Sequence, residues 1–226
     1  MAKFAVILSG CGFLDGSEIH ESVATLLAID RLGIEWEAYA PDANQTDVID
    51  HVTRARAGSQ SSGGRNILSE SARIVRGRIR PMASLDPTNI DAILLPGGYG
   101  AAKNLCNFAA AGADCSVRPE VAAALRKAHS LGKPIGAICI APAVVAAAFR
   151  GTDTHPTLTI GTDAATAKAL EAMGARHRNC DVRDCVVDEK NRIVSTPAYM
   201  TATRISEAAE GIEKLVSEVA RLAVVR

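Results

Sequence analysis

The sequence shows no charge bias, few aromatic residues and no long hydrophobic run. Lys+Arg and Asp+Glu both number 25, and Phe, Trp and Tyr together make up 4%. With no basic stripe there is no electrostatic footprint for nucleic acid, and with no acidic tail there is no solvating arm. No apolar run is long enough to span a bilayer. The opening Met1-Ala2-Lys3-Phe4 lacks the apolar core of a secretory leader. No G-x-G-x-x-G follows the first apolar run and no phosphate-loop lysine occurs, which speaks against a nucleotide site. The six cysteines, Cys11, Cys106, Cys115, Cys139, Cys180 and Cys185, form no C-x-x-C pair and no Cys/His cluster of zinc spacing. They read as reduced thiols of a cytoplasmic protein, with no metal or other cofactor expected.

What is present suits an ordinary globular chain: 226 residues, 48% hydrophobic and 22% charged, with no linker, hence one domain over residues 1–226. Residues 3–8 (K-F-A-V-I-L) are continuously apolar, as in a strand buried on both faces of a parallel sheet. Asp15-Gly16-Ser17-Glu18 opens a helix that runs to Leu32 and stops at Gly33, and residues 34–40 form a second strand. That β-α-β beginning predicts an α/β sheet. Polar residues 53–64 read as a mobile surface loop, 66–75 as a helix, and 76–90 as a loop carrying Pro81 and Pro87. Residues 91–95 form a buried strand that ends in Pro96-Gly97-Gly98-Tyr99-Gly100. Residues 101–119 form a long insertion, which suggests function or assembly. A helix over 119–131, a strand over 157–160, a helix over 164–173, an antiparallel hairpin of 176–187 with 192–195, and a helix over 203–222 complete the chain.

The most informative stretch lies between residues 134 and 149. The apolar run 134–138 ends in Cys139, and an alanine-rich helix over 142–149 follows almost at once. Strand, one-residue corner and helix make a nucleophile elbow. The helix N-terminus should ease loss of the thiol proton, and the thiolate is the nucleophile. Taken alone, Cys139 reads equally well as a small buried residue.

In an open α/β sheet, ligands bind at the carboxyl ends of the strands. Segments 9–21, 96–104, the elbow and 161–163 meet there, so Cys11, Glu18, Asn104 and Asp163 are possible pocket residues. The Gly98 N–H and the Ile140 N–H are candidate oxyanion donors. Asp15 with Glu18 has capping-box spacing, which explains Glu18 structurally. Glu21 has no such explanation. A buried glutamate beside a cysteine would have a raised pKa and serve as a general acid or base. The helical wheel separates Glu21 from Val23, Leu26 and Leu27, so periodicity leaves its burial open. Among the five histidines only His20 lies near the site in sequence, so no histidine base is evident.

Gly136-Ala137-Ile138-Cys139-Ile140-Ala141-Pro142-Ala143, with the Pro96-Gly97-Gly98 turn, resembles the PfpI-like branch of the class I glutamine amidotransferase-like superfamily. Leu8-Ser9-Gly10-Cys11-Gly12, Asp15-Gly16-Ser17-Glu18-Ile19-His20-Glu21, Gly98-Tyr99-Gly100-Ala101-Ala102-Lys103-Asn104-Leu105 and Val194-Ser195-Thr196-Pro197-Ala198-Tyr199 narrow the resemblance. Within that branch they are similar to the isoprenoid-biosynthesis glyoxalases, also called enhancing-lycopene-biosynthesis proteins. The resemblance implies a flavodoxin-like three-layer α/β sandwich, with a mostly parallel sheet and an antiparallel C-terminal hairpin. It implies Cys139 as the catalytic cysteine. It also implies a glutamate on the first helix, which counted from Arg31-Leu32-Gly33 is Glu21, with Glu18 in reserve. Where the protease branch carries a histidine after the cysteine, this chain has Ile140. Where the deglycase branch carries one after the next strand, it has Gly161-Thr162-Asp163. Thr196-Pro197-Ala198-Tyr199 lacks the histidine–acid pair of the amidotransferases.

The implied activity is a glyoxalase without cofactor or glutathione, acting on a small aldehyde such as glyoxal, in a cytoplasmic homodimer. Nucleic acid and membrane are not expected partners. The alternative from a different class is a redox-responsive binding or chaperone-like protein that uses the same elbow cysteine.

Overall fold

The computed structural model describes residues 2–57 and 64–224. Residues 58–63 of the expected surface loop lie outside the described residues. In chain order the elements are β1 (Lys3–Ile7), α1 (Ile19–Arg31), β2 (Glu35–Ala40), α2 (Ile67–Ile74), β3 (Ile79–Pro81) and β4 (Ala92–Leu95). Next come α3 (Phe108–Ala111), α4 (Pro119–Ser130), β5 (Ile135–Ile138), α5 (Ala141–Phe149), β6 (Thr157–Leu158) and α6 (Ala164–Ala172). The chain ends with β7 (Arg176–His177), β8 (Val186–Asp188), β9 (Ile193–Thr196) and α7 (Ile205–Val224).

The main sheet has the strand order β3-β2-β1-β4-β5-β9-β8. All its pairs are parallel except β8 with β9, the antiparallel end of the sheet. Alternation along β1 divides the core. Phe4 and Val6 join Ile29, Ile67, Ile212 and Leu215 on the side of α1, α2 and α7. Ala5 and Ile7 join Val121, Leu125 and Val144 on the side of α4 and α5. Both layers are therefore apolar, which is why the central strands read as unbroken hydrophobic runs. The result is a flavodoxin-like three-layer α/β sandwich.

The chain leaves β1 toward β2 on one side and later returns to place β4 on the other. The carboxyl ends of β1 and β4 therefore diverge and open a crevice, the place where such sheets hold ligands. The elbow at the end of β5 stands beside it.

Several local expectations are corrected. Residues 76–90 contain an edge strand, β3. The expected 157–160 strand is shorter and lies outside the main sheet, paired with β7 in a two-stranded parallel sheet. The expected 176–187 strand is two strands, β7 and β8, in different sheets. The 101–119 insertion holds a π-helical turn over Ala101–Leu105 and the short helix α3. On α1 the buried face is Glu21, Ser22, Thr25, Ala28 and Ile29, whereas Ile19, Val23 and Leu27 are exposed. The small side chains Ser22, Thr25 and Ala28 let α1 lie close to its neighbours, so size outweighed hydropathy at those positions. Among the described residues no helix is long and apolar enough to cross a membrane.

Sheet and helix pack closely at Gly136 on β5. A Cβ there would come within 2.5 Å of Leu94 Cδ2, 2.9 Å of Leu215 Cδ2 and 3.1 Å of Val219 Cγ2. Gly136→Val should therefore overpack the layer beneath α7. The expected loss is about 1–3 kcal/mol in urea unfolding. Stability equal to the unmodified protein would show that α7 can lift without cost.

Candidate active site

Cys139 has φ +61°, the left-handed corner that an elbow requires. Its N–H donates to Thr196 O at 3.0 Å, which ties the corner to β9. The next residue, Ile140, is the N-cap of α5, so the first free N–H of that helix points back at the corner. The thiol has three hydrogen-bond partners: the Glu21 carboxyl and the backbone N–H groups of Gly98 and Ile140. None of them is a histidine.

Glu21 is fully buried. Its Oε2 accepts the Gly97 N–H at 2.9 Å and its Oε1 accepts the Tyr199 N–H at 3.3 Å. α1 is itself held at the site, because the Glu18 N–H donates to Gly97 O at 3.0 Å. The 96–100 turn is further stitched to the loop after β1 by Tyr99 N–H to Phe13 O and Gly100 N–H to Gly16 O. Gly97 is obligatory here. A Cβ on it would fall 2.5 Å from Cys139 Cβ and 2.8 Å from Glu21 Oε2. Gly98 has φ +89°, and a Cβ there would strike Glu18 N at 2.4 Å.

Above the thiol lies an open cleft of about 440 Å³. Phe13, Tyr99, Phe108 and Met200 form much of its wall, and Glu18, Asp163 and Tyr199 contribute polar groups. Tyr199 Oη is 2.8 Å from His20 Nδ1, which links the rim to an exposed imidazole.

All four expected segments reach this cleft. Cys139, Gly98, Ile140, Glu18 and Asp163 line it, and Glu21 lies behind the thiol in the protein interior. Glu18 is the helix N-cap, with its Oε2 accepting the Glu21 N–H at 2.7 Å. The capping-box assignment of Asp15 is thus corrected. Asp15 instead accepts the Ile49 N–H at 2.7 Å, which ties the loop after β1 to the segment after β2. Asp163 caps α6 at the rim by accepting the Thr166 N–H at 2.7 Å.

Cys11 and Asn104 do not line the cleft. Cys11 pairs with Ser17 in an isolated bridge and lies near Glu70 and Arg73 of α2. Asn104 is a buried loop clamp, with Nδ2 donating to Ser9 O and Asp15 O, both at 2.8 Å. Proximity along the chain brought both to the right sheet edge, but their side chains point away. Phe108, Tyr199 and Met200 were missed. Phe108 sits in the insertion, and Tyr199 and Met200 sit in a 3-10 turn that the sequence presents as plain loop. The Thr196-Pro197-Ala198-Tyr199 motif was the available signal.

Burial pushes Glu21 up from its ordinary 4.5 to about 7, and the charge of Glu18 adds to the rise. The Cys139 thiol is also raised well above its ordinary value, first by burial and then by Glu21. The expected acid-shifted thiol is therefore corrected: burial, with the neighbouring carboxyl added, outweighs the helix N-terminus. Cys139 and Glu21 act as one unit that resists carrying two negative charges. No group of three or more His, Cys, Asp or Glu among the described residues is placed to hold a metal ion.

A raised carboxyl stabilises the fold in its protonated form. That contribution is full below about pH 4.5 and is lost as pH rises through about 7, a span worth on the order of 3 kcal/mol. In a Cys139→Ser background, Glu21→Gln should therefore gain stability relative to its Glu21 parent between about pH 5 and about pH 8. Urea unfolding at both pH values measures it. An unchanging difference would mean that Glu21 ionises as freely folded as unfolded.

No family model matches the chain. Among curated proteins, the human glutamine amidotransferase-like class 1 domain-containing protein 3, mitochondrial, is 44% identical over 231 residues, covering 98% of this chain and 83% of the relative. A rat protein named ES1 protein homolog, mitochondrial, is 43% identical, with 98% and 84% covered. Among solved structures, an isoprenoid biosynthesis protein with an amidotransferase-like domain from Ehrlichia chaffeensis is 37% identical, with a TM-score of 0.90 over 98% of this chain and 99% of that one. Glyoxalase III from Candida albicans shares the fold at 13% identity, with a TM-score of 0.61 over 96% and 97%. The mitochondrial names of the relatives overturn the cytoplasmic expectation. Reduced thiols suit any reducing compartment and do not single out the cytosol. At this level of identity over nearly its whole length, the chain belongs to the family of the glutamine amidotransferase-like class 1 domain-containing protein 3 and ES1 proteins, built on the DJ-1/ThiJ/PfpI-like fold.

Proposed function

We propose that the protein is a cofactor-independent glyoxalase that converts glyoxal or a similar small 2-oxoaldehyde to a 2-hydroxy acid. The observation that carries this reading is the buried Glu21 carboxyl hydrogen-bonded to the elbow thiol of Cys139. Glu21 takes the thiol proton as Cys139 Sγ bonds to one aldehyde carbon, and the product is a hemithioacetal. The carbonyl oxygen gains negative charge as the bond forms, and the Gly98 and Ile140 N–H groups are aimed at that side of the sulfur. Glu21, reset as a carboxylate, removes the C–H proton of the hemithioacetal carbon to give an enediol. Return of that proton to the neighbouring carbon leaves a 2-hydroxyacyl thioester. Water then cleaves the C–S bond and releases the 2-hydroxy acid and the thiol. The balance is one aldehyde plus one water to one acid, with no external oxidant or reductant. A carboxyl near 7 suits both proton transfers.

Tyr199 and the apolar walls Phe13, Tyr99 and Phe108 give the cleft room beyond the atoms that react. That room favours 2-oxoaldehydes with a short apolar tail over glyoxal alone. The mitochondrial names of the relatives favour a mitochondrial setting. The Ehrlichia chaffeensis protein's name carries the isoprenoid-biosynthesis part of the likeness and is silent on glyoxalase activity.

The test is hydroxy-acid formation from glyoxal and methylglyoxal without glutathione. Cys139→Ser should abolish turnover. Glu21→Gln should lower kcat by about 100- to 10000-fold, and kcat/KM of the unmodified protein should rise with pH through about 7. Full activity in Cys139→Ser would sink the proposal. Absence of activity in the unmodified protein, with Cys139 readily oxidised, would favour the redox-responsive alternative.

A further inference from the structure

The reaction above leaves unused a second pair of thiols, Cys106 and Cys115, in the excursion between the π-helical turn and α4. Cys106 pairs with Val117 in an isolated antiparallel bridge. Beside it the Asn107 N–H donates to Ser116 O at 3.2 Å, and Asn107 Oδ1 accepts the Ser116 N–H at 2.6 Å. The two ends of the excursion therefore run side by side, as in a hairpin. Both thiols are buried, at 4% and 0% exposure, and they interact across the excursion, while Cys106 Sγ donates to Ala101 O at 3.4 Å and Cys115 Sγ to Met173 Sδ at 3.6 Å. The loop they close carries Phe108 and Ala109 into the wall of the catalytic cleft.

A lone buried cysteine is commonly a small apolar filler. This pair differs in two respects. Its sulfurs are mutual neighbours on hydrogen-bonded backbone, and a cation is built in. The Arg150 guanidinium donates to Ala113 O and, at 2.8 Å, to Cys115 O. The Cys106 contact and the charge of Arg150 both lower the Cys115 thiol. The Cys115 contact and burial raise Cys106, and the Arg150 cation stands on the Cys115 side of the pair. Asp114 and Ser116 on either side of Cys115 are exposed, so a small local opening brings the sulfur to solvent.

We propose that Cys106 and Cys115 form a reversible disulfide that staples the Phe108 wall of the cleft. The oxidant is a peroxide. The Cys115 thiolate attacks one peroxide oxygen, the O–O bond breaks, and the leaving hydroxide takes a proton to depart as water. The resulting sulfenic acid is then displaced by Cys106 sulfur, which forms the S–S bond and releases a second water. Two thiols are oxidised and one peroxide is reduced to two waters. A dithiol reductant reverses the step by exchange.

The pairing does not rest on the glyoxalase reading and is tested without an activity assay. Full-length Cys139→Ser protein, in which the elbow thiol cannot compete, is treated with hydrogen peroxide, alkylated, unfolded and peptide-mapped without reductant. The expected result is one linked pair of peptides containing Cys106 and Cys115. Its mass lies two hydrogens below the sum of the free peptides, and dithiothreitol abolishes it. Amide exchange over residues 107–114 should slow in the linked form. Recovery of both cysteines as alkylated thiols, while Cys11, Cys180 or Cys185 is oxidised, would overturn the proposal. So would a linkage that persists in Cys106→Ala, which also covers the case in which Cys115 is the harder residue to replace.

Discussion

The contact between a buried carboxyl and a buried thiol is the constraint on which the site depends. Glu21 and Cys139 come from distant segments, α1 and the elbow after β5, and the carboxyl raises the thiol while the thiol's hydrogen bond lowers the carboxyl against a larger rise from burial. Neither could carry its charge alone at such depth, since an uncompensated charge there is costly. Together they share a proton and accept four backbone N–H groups besides, those of Gly97 and Tyr199 on the carboxyl and of Gly98 and Ile140 on the sulfur. The arrangement replaces the imidazole base of cysteine hydrolases with a carboxyl whose acidity is set by burial. It also explains why the turn after β4 is glycine-rich: the two reacting side chains meet where the Cβ of residue 97 would otherwise be.

Topology delivers these groups to one point. β1 and β4 are neighbours whose connections leave in opposite directions, and β5 is next in line. The loop after β1 starts α1 and so sets Glu21. The turn after β4 supplies two backbone donors, and the elbow after β5 supplies the nucleophile. The stitching of the first two loops through Gly97, Tyr99 and Gly100 makes them a single rigid floor. A reaction that must hold two transfers of one proton within hydrogen-bond reach needs such a floor.

Where local chemistry dominates, the sequence was readable. The apolar runs of β1, β4 and β5 announce strands covered on both faces, and the abrupt passage from Ile138 through Cys139 into α5 announces the elbow. Where packing geometry dominates, it was not. α1 buries Ser22, Thr25 and Ala28 and exposes Val23 and Leu27, because close approach to α7 and the sheet selects small side chains. Cys11 and Asn104 sit on the right loops but face α2 and the loop interior, a matter of side-chain direction that spacing does not encode. Likewise β6 and β7 find each other and not the main sheet, since two-residue strands carry too little pattern to declare a partner.

The left-handed backbone at Cys139 also sets which residues chemistry is free to try there. At φ +61° a branched Cβ collides with the neighbouring peptide, so threonine and valine are excluded however suitable a hydroxyl would be as a nucleophile. Serine and cysteine fit the corner without branching, and between them only the thiol gives up its proton to a carboxyl near neutrality. The elbow thus narrows the choice of nucleophile before selection for activity begins. Descendants of this site that abandon thiol chemistry are expected to lose the reaction and keep the scaffold.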